Sequence, residues 1–152
     1  MHINWAHVHL MINHFPVVGI LGNILLLLYA VARKSDEIKM VSLGLFVLIA
    51  LIAIPVFFTG HGAEDVVKKL PGMTETYIGR HEEMADFSIV ALEILGGLAL
   101  LGLVLKKRTG AISSLLIGLV LLTAMITAVL VGITANLGGQ IRHSEIRNVD
   151  SR

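Results

Sequence analysis

The sequence predicts an all-α integral membrane protein, a four-helix bundle whose spans cross the bilayer up, down, up and down. Of its 152 residues, 55% are hydrophobic and 15% are charged, whereas soluble domains have about 45–50% apolar and about 25% charged residues. Four apolar stretches each reach about the 20 residues that a hydrocarbon core of roughly 30 Å requires. The predicted spans are residues 10–32, 40–60, 84–105 and 111–137.

The connections between these spans favour a single transmembrane domain over residues 1–152. The first stretch lacks a basic leader and a small-residue cleavage site, so we expect a retained span and not a removable signal peptide. Residues 33–39 and 106–110 are short charged turns, which predict two antiparallel hairpins. The longer middle connection contains a predicted amphipathic surface helix at 63–70, stopped by a Pro-Gly pair.

All seven histidines fall at the same end of the predicted bundle. Imidazole is the commonest metal ligand, and it is costly to place in lipid without a partner. The pattern therefore predicts a metal or haem centre near one membrane surface. Because the chain has no cysteine, thiolate zinc sites, cysteine-ligated iron–sulfur clusters and covalently attached c-type haem are excluded. The histidines are His2, His7, His9, His14, His61, His81 and His143.

The basic residues predict which way the bundle faces. Lys106, Lys107 and Arg108 form a tight cluster beside the third span, in one of the short histidine-free loops. Positive charge close to a span favours the cytoplasmic side. We therefore expect a bacterial inner-membrane protein with both termini and the histidines in the periplasm. The net charge of +1 and the scattered basic residues give no footprint for nucleic acid.

The first span begins with the segment richest in functional groups, from His9 to Pro16. His9 and His14 are five residues apart, which on a regular helix separates their directions by about 140°. Both side chains face the bundle interior only if the helix bends. Pro16 favours a bend, because proline has no backbone donor and its ring clashes with the carbonyl of Ile12.

Two further segments place histidines beside those of the first span. His81 begins the third span and lies at the same level as His9, roughly 35 Å from the histidine-free edge at 1.5 Å per residue. Imidazoles at matched depth on neighbouring helices suit a haem iron. After the fourth span, a Gly-Gly pair at 138–139 is expected to end the helix and turn the chain back. This turn would bring His143 to the site and Arg142 to a haem propionate.

One carboxyl lies in the middle of the third span. Glu93 is seven residues beyond Asp86 and on the same helix face. An ionisable group at this depth suggests a function such as a proton relay. A buried, protonated Glu93 that is paired with Asn23 or Thr123 is the structural alternative.

Several of these segments together resemble a family of small bacterial four-span membrane proteins of unassigned function, whose relatives occur as domains beside c-type cytochrome modules. The resemblance covers nearly the whole chain, with one motif per span in fixed order. It implies a membrane domain for b-type haem in which His9, His14, His81 and His143 are the recurrent histidines. The motifs are His-x4-His-Phe-Pro (9–16), Thr59-Gly60, His81-Glu82 and Ala-Asn-Leu-Gly-Gly-Gln-Ile-Arg-His (135–143).

The sequence thus predicts an electron-transfer protein with one or two haems b near its periplasmic face, held by those four histidines and Arg142. Its expected place is between the quinone pool and a periplasmic cytochrome, as a subunit of a respiratory or photosynthetic complex and not as a stand-alone enzyme.

Two other functional classes stay open from the sequence. The same histidines with Glu82, Met11 or Met84 suit a non-haem copper, zinc or iron ion. Alternatively, the protein is a cofactor-free structural subunit of a membrane complex, with interfacial histidines that reach toward the lipid headgroups.

Overall fold

Helices make up nearly all of the part of the chain that the computed structural model describes, which is residues 3–69 and 75–147. The predictions for His2, Leu70 and the Pro71-Gly72 stop lie outside these residues. The helices are α1 (Trp5–Ile12), α2 (His14–Ala32), α3 (Asp36–Val67), α4 (Glu75–Thr109), α5 (Ser114–Arg142) and a short 3₁₀ helix (Ser144–Ile146).

The predicted all-α four-helix membrane bundle is confirmed. Four helical stretches are long and apolar enough to cross a membrane, with α1 and α2 together forming the first. The long helices pack against their neighbours in chain order, and α2 also packs against α5, which closes the ring. Large apolar side chains on the outside contact lipid. The fully buried apolar core consists of Leu27, Ala30, Leu43, Phe46, Leu95, Ala99, Val120 and Ala124.

The first span is broken where the sequence predicts a bend. Helix α1 ends at Ile12, and α2 begins at His14 with Pro16 in its first turn. Helix α1 packs against α3. A Cβ at Gly62 of α3 would lie only 2.8 Å from the Trp5 side chain, so this glycine admits the close approach of α1.

The histidine-free end is fixed by helix caps and ion pairs. The side chains of Ser35 and Ser113 accept hydrogen bonds from the first turns of α3 and α5. Asp36 binds Lys39 at 3.0 Å and Lys106 at 2.6 Å. The Asp36 to Lys106 pair joins the two short turns, so the two helical hairpins are linked at this end.

Helices α3, α4 and α5 extend further at the histidine end than predicted. Residues 63–67 are not a separate surface helix but the last turns of α3, which runs unbroken to Val67. The prediction that Gly138 and Gly139 end the fourth span is wrong, since α5 continues to Arg142. The His81 ring packs on Gly138, and the Ile146 side chain packs on Gly139. This packing offsets the low helix propensity of the two glycines.

Gly96→Ala tests the closest approach between two spans. A Cβ at Gly96 would lie 2.5 Å from the Cβ of Ala50, so α3 and α4 must move apart to admit it. We expect the free energy of unfolding in detergent to fall by about 1–3 kcal/mol. Gly97→Ala is the matched control, because a Cβ there meets no atom within 4 Å. An equal loss in both variants would contradict the assigned contact.

Candidate functional site

His9 is held between α1 and α3 by a hydrogen bond to the backbone. Its Nδ1 lies 3.1 Å from the carbonyl oxygen of Val56 and 3.4 Å from the hydroxyl oxygen of Thr59. The ring rests on Gly60, where a Cβ would lie 3.3 Å from the ring carbon Cε1. The imidazole is half-buried and takes its orientation from α3.

His81 is held between α4 and α5 in the same way. Its Nδ1 lies 2.9 Å from the carbonyl oxygen of Thr134. The ring rests on Gly138, where a Cβ would lie 3.0 Å from Cε1. The carbonyl and the glycine are again four residues apart on one helix, so the His81 imidazole repeats the arrangement of His9.

The two arrangements lie at the same height in the bundle. Val56 and Gly60 lie 20 and 24 residues after the start of α3 at Asp36. Thr134 and Gly138 lie 20 and 24 residues after the start of α5 at Ser114. At 1.5 Å per residue, both glycines lie roughly 36 Å from the histidine-free end, just beyond a hydrocarbon core of about 30 Å.

These hydrogen bonds determine which ring nitrogen is free to bind a ligand. A carbonyl oxygen can only accept, so Nδ1 carries the proton in both His9 and His81. The lone pair of each neutral ring is then on Nε2. Metal-binding histidines usually donate their other N–H to a carbonyl or carboxylate, which fixes the ring.

The other two predicted histidine ligands are exposed. His14 lies at the start of α2, one residue after the break. His143 follows the end of α5, and its Nδ1 pairs with Glu145 at 2.8 Å. The Glu145 backbone N–H and then His143 lower the pKa of this carboxyl. Neither imidazole is anchored on a neighbouring span as His9 and His81 are.

The segment after α5 folds back onto the end of that helix, and Arg147, not Arg142, holds it. Arg142 is exposed. Arg147 donates to the carbonyls of Gln140 at 2.7 Å and Ile141 at 2.8 Å. Its guanidinium also lies 4.4 Å from the centre of the Tyr77 ring on α4.

The side chains predicted to bind a non-haem metal ion together with the histidines do not share one environment in the structure. Met11 is exposed on α1, whereas Glu82 and Met84 are half-buried on α4. Among the described residues 3–69 and 75–147, no cluster of three or more histidine or acidic side chains has the arrangement of a metal site.

Glu93 lies on the outside of the bundle. Its side chain is exposed, as is that of Asp86 on the same face. The alternative of a buried Glu93 that pairs with Asn23 or Thr123 is not met, because the Glu93 side chain is exposed. The buried Asn23 amide donates instead to the carbonyl of Ser42 at 2.9 Å. Glu93 therefore belongs to the lipid-facing surface of α4.

Comparison with known proteins gives no relative: no protein-family model, curated protein or solved structure matches this chain. The family resemblance described above therefore stays a prediction.

Sequence reasoning missed the carbonyls and the roles of the glycines that hold the two rings. Backbone carbonyls carry no sequence signature. The glycines did offer a signal, since Gly60 and Gly138 each lie 25 residues after the serine that precedes their helix, Ser35 and Ser113. Equal spacing on two spans of the same direction places both glycines at one depth.

Gly138→Val tests the arrangement that holds His81. The added side chain must displace the ring and break its hydrogen bond to Thr134, so we expect a loss of about 1–3 kcal/mol in unfolding free energy. Reaction of His81 with diethyl pyrocarbonate, followed by mass spectrometry, should also become faster. Gly132→Val is the control on the same helix, because a Cβ there meets no atom within 4 Å. Unchanged His81 reactivity in Gly138→Val would contradict the contact.

Proposed function

We propose that the protein is a b-type haem membrane protein that transfers electrons, with His9 and His81 as the axial ligands. The observation that carries this proposal is the repeated anchoring of both rings through Nδ1 to a backbone carbonyl. The lone pair of each Nε2 is thereby free to bind a metal. Gly60 and Gly138 have no side chain, and this leaves the space against the helix that each ring occupies.

Two imidazoles match the needs of haem better than those of a free ion. The porphyrin supplies four nitrogen ligands, so the protein provides only one or two axial side chains. A zinc site needs three or four protein ligands. The matched height of the two anchored rings supports a shared iron, while His14, His143 and Arg142 stay predictions for a second haem or for propionate contacts.

The position of the site supports electron transfer across the membrane surface. At roughly 36 Å from the histidine-free end, the rings lie at the boundary between lipid and water. A quinone in the lipid and a c-type cytochrome in the periplasm both have access to this level. We propose that the protein works between such partners, as a subunit of a respiratory or photosynthetic complex. The haem supplies the redox chemistry, and the chain supplies the ligands and their orientation.

Absorption spectra of the purified protein test the haem site. We expect a Soret band and sharp α-bands after dithionite reduction in the wild type, and loss or a large shift of both in His9→Ala and His81→Ala. His61→Ala is the control, because its exposed ring bonds only to Phe57 in the same helix. A wild-type protein without haem bands after expression with haem supply would refute the proposal. So would unchanged spectra in both ligand variants.

Cysteine labelling tests the proposed orientation, because the natural chain has no cysteine. With the histidine end in the periplasm, Asp65→Cys should react with a membrane-impermeant maleimide in spheroplasts. Lys107→Cys should react only after the membrane is opened. The reverse pattern would place the histidines in the cytoplasm and would leave the ligand assignment unaffected.

A further inference from the structure

Glu93 lies where an acidic side chain is least expected in a single bundle. It is near the middle of the apolar stretch from Met84 to Leu105, and it is exposed on the outer face of α4. The inward side of the helix at this level is apolar, with Leu92 5% and Leu95 0% exposed. The carboxyl therefore points toward lipid and away from the bundle core.

A lone carboxyl in hydrocarbon is strongly unfavourable. Ionisable groups within spans almost always face a bundle interior or a water-filled cavity and have a partner there. In the part of the chain that the structure describes, no hydrogen bond or ion pair reaches the Glu93 carboxyl. A hydrogen-bonding group must therefore come from a molecule that packs on this face.

Gly97 adds a second feature to the same face. It lies one turn from Glu93, is exposed, and a Cβ there would meet no atom within 4 Å. Its neighbour Gly96 is different, because contact with Ala50 requires glycine there. Nothing within the chain requires Gly97 to be small. Small residues on an outer face allow the backbone of another helix to approach closely.

We propose that this face of α4, defined by Val90, Glu93 and Gly97, is the interface with a second copy of the chain in the same orientation. A two-fold axis along the membrane normal brings the same residue of each copy to the same depth. Hydrocarbon favours the neutral acid, which has both a donor and an acceptor. The protonated Glu93 is therefore complementary to itself, and two copies satisfy both carboxyls. The inference is independent of the proposed haem.

Four substitutions separate the hydrogen bond from the close approach. Glu93→Gln keeps a donor and an acceptor and should remain dimeric, whereas Glu93→Leu should become monomeric. Gly97→Leu should also become monomeric, because it separates the helices. Gly118→Leu on α5 is the control, because a Cβ at Gly118, as at Gly97, meets no atom within 4 Å. This variant should remain dimeric. The measurement is the protein mass in mild detergent by light scattering. A monomeric wild type, or a Glu93→Leu variant that stays dimeric, would overturn the proposal.

Cross-linking in native membranes tests the same interface without detergent. Gly97→Cys should form a disulfide-linked dimer upon mild oxidation, and it should form at least tenfold less when combined with Glu93→Leu. Gly118→Cys should give none. Because the natural chain has no cysteine, every cross-link reports the introduced residue. Cross-linking at Gly118→Cys but not at Gly97→Cys would place the contact on another face and refute this one.

Discussion

Each helical hairpin of the bundle is held at its histidine end by one imidazole that donates to a backbone carbonyl. An N–H to carbonyl hydrogen bond contributes about 0.5–1.5 kcal/mol net, but an unsatisfied buried donor costs about 1–3 kcal/mol. The bond needs open helix surface beside the carbonyl, and a Cβ at Gly60 or Gly138 would crowd the ring at 3.3 Å or 3.0 Å. These two contacts join α1 to α3 and α4 to α5 at this end, beside the approach of Trp5 to Gly62 and the hydrogen bond between Ser88 and Thr134.

The same contacts separate the six histidines that the structure describes into two kinds. His9 and His81 have one nitrogen fixed by a neighbouring helix, so their free nitrogens have defined positions before any ligand arrives. His7 and His61 bond only to residues three or four positions away, and His143 bonds to Glu145. Preorganised ligands lose less entropy upon binding, and this difference is the physical basis for assigning the site to the first pair.

The spans were predictable because lipid requires long apolar helices with internal hydrogen bonds. The common end of the histidines followed from counting crossings, and the break near Ile12 from the chemistry of Pro16. The rotation of each helix was not predictable. Asp86 and Glu93 share a face by spacing, but the sequence does not say that this face points outward. The continuation of α5 beyond Gly138 was also missed, because it depends on contacts with His81 and Ile146.

The helices end at different heights at the histidine end because their lengths are unequal. Helices α3 and α4 have 32 and 35 residues, whereas α5 has 29 and the α1–α2 span has 28. Beyond the level of the two anchored rings, α3 and α4 extend two or three residues further than α1 and α5, which is about 3–5 Å at 1.5 Å per residue. A water-soluble protein that approaches along the membrane normal first meets the ends of α3 and α4. Within residues 3–69 and 75–147, less helix therefore extends beyond the imidazoles on the side of α1 and α5 than on the side of α3 and α4.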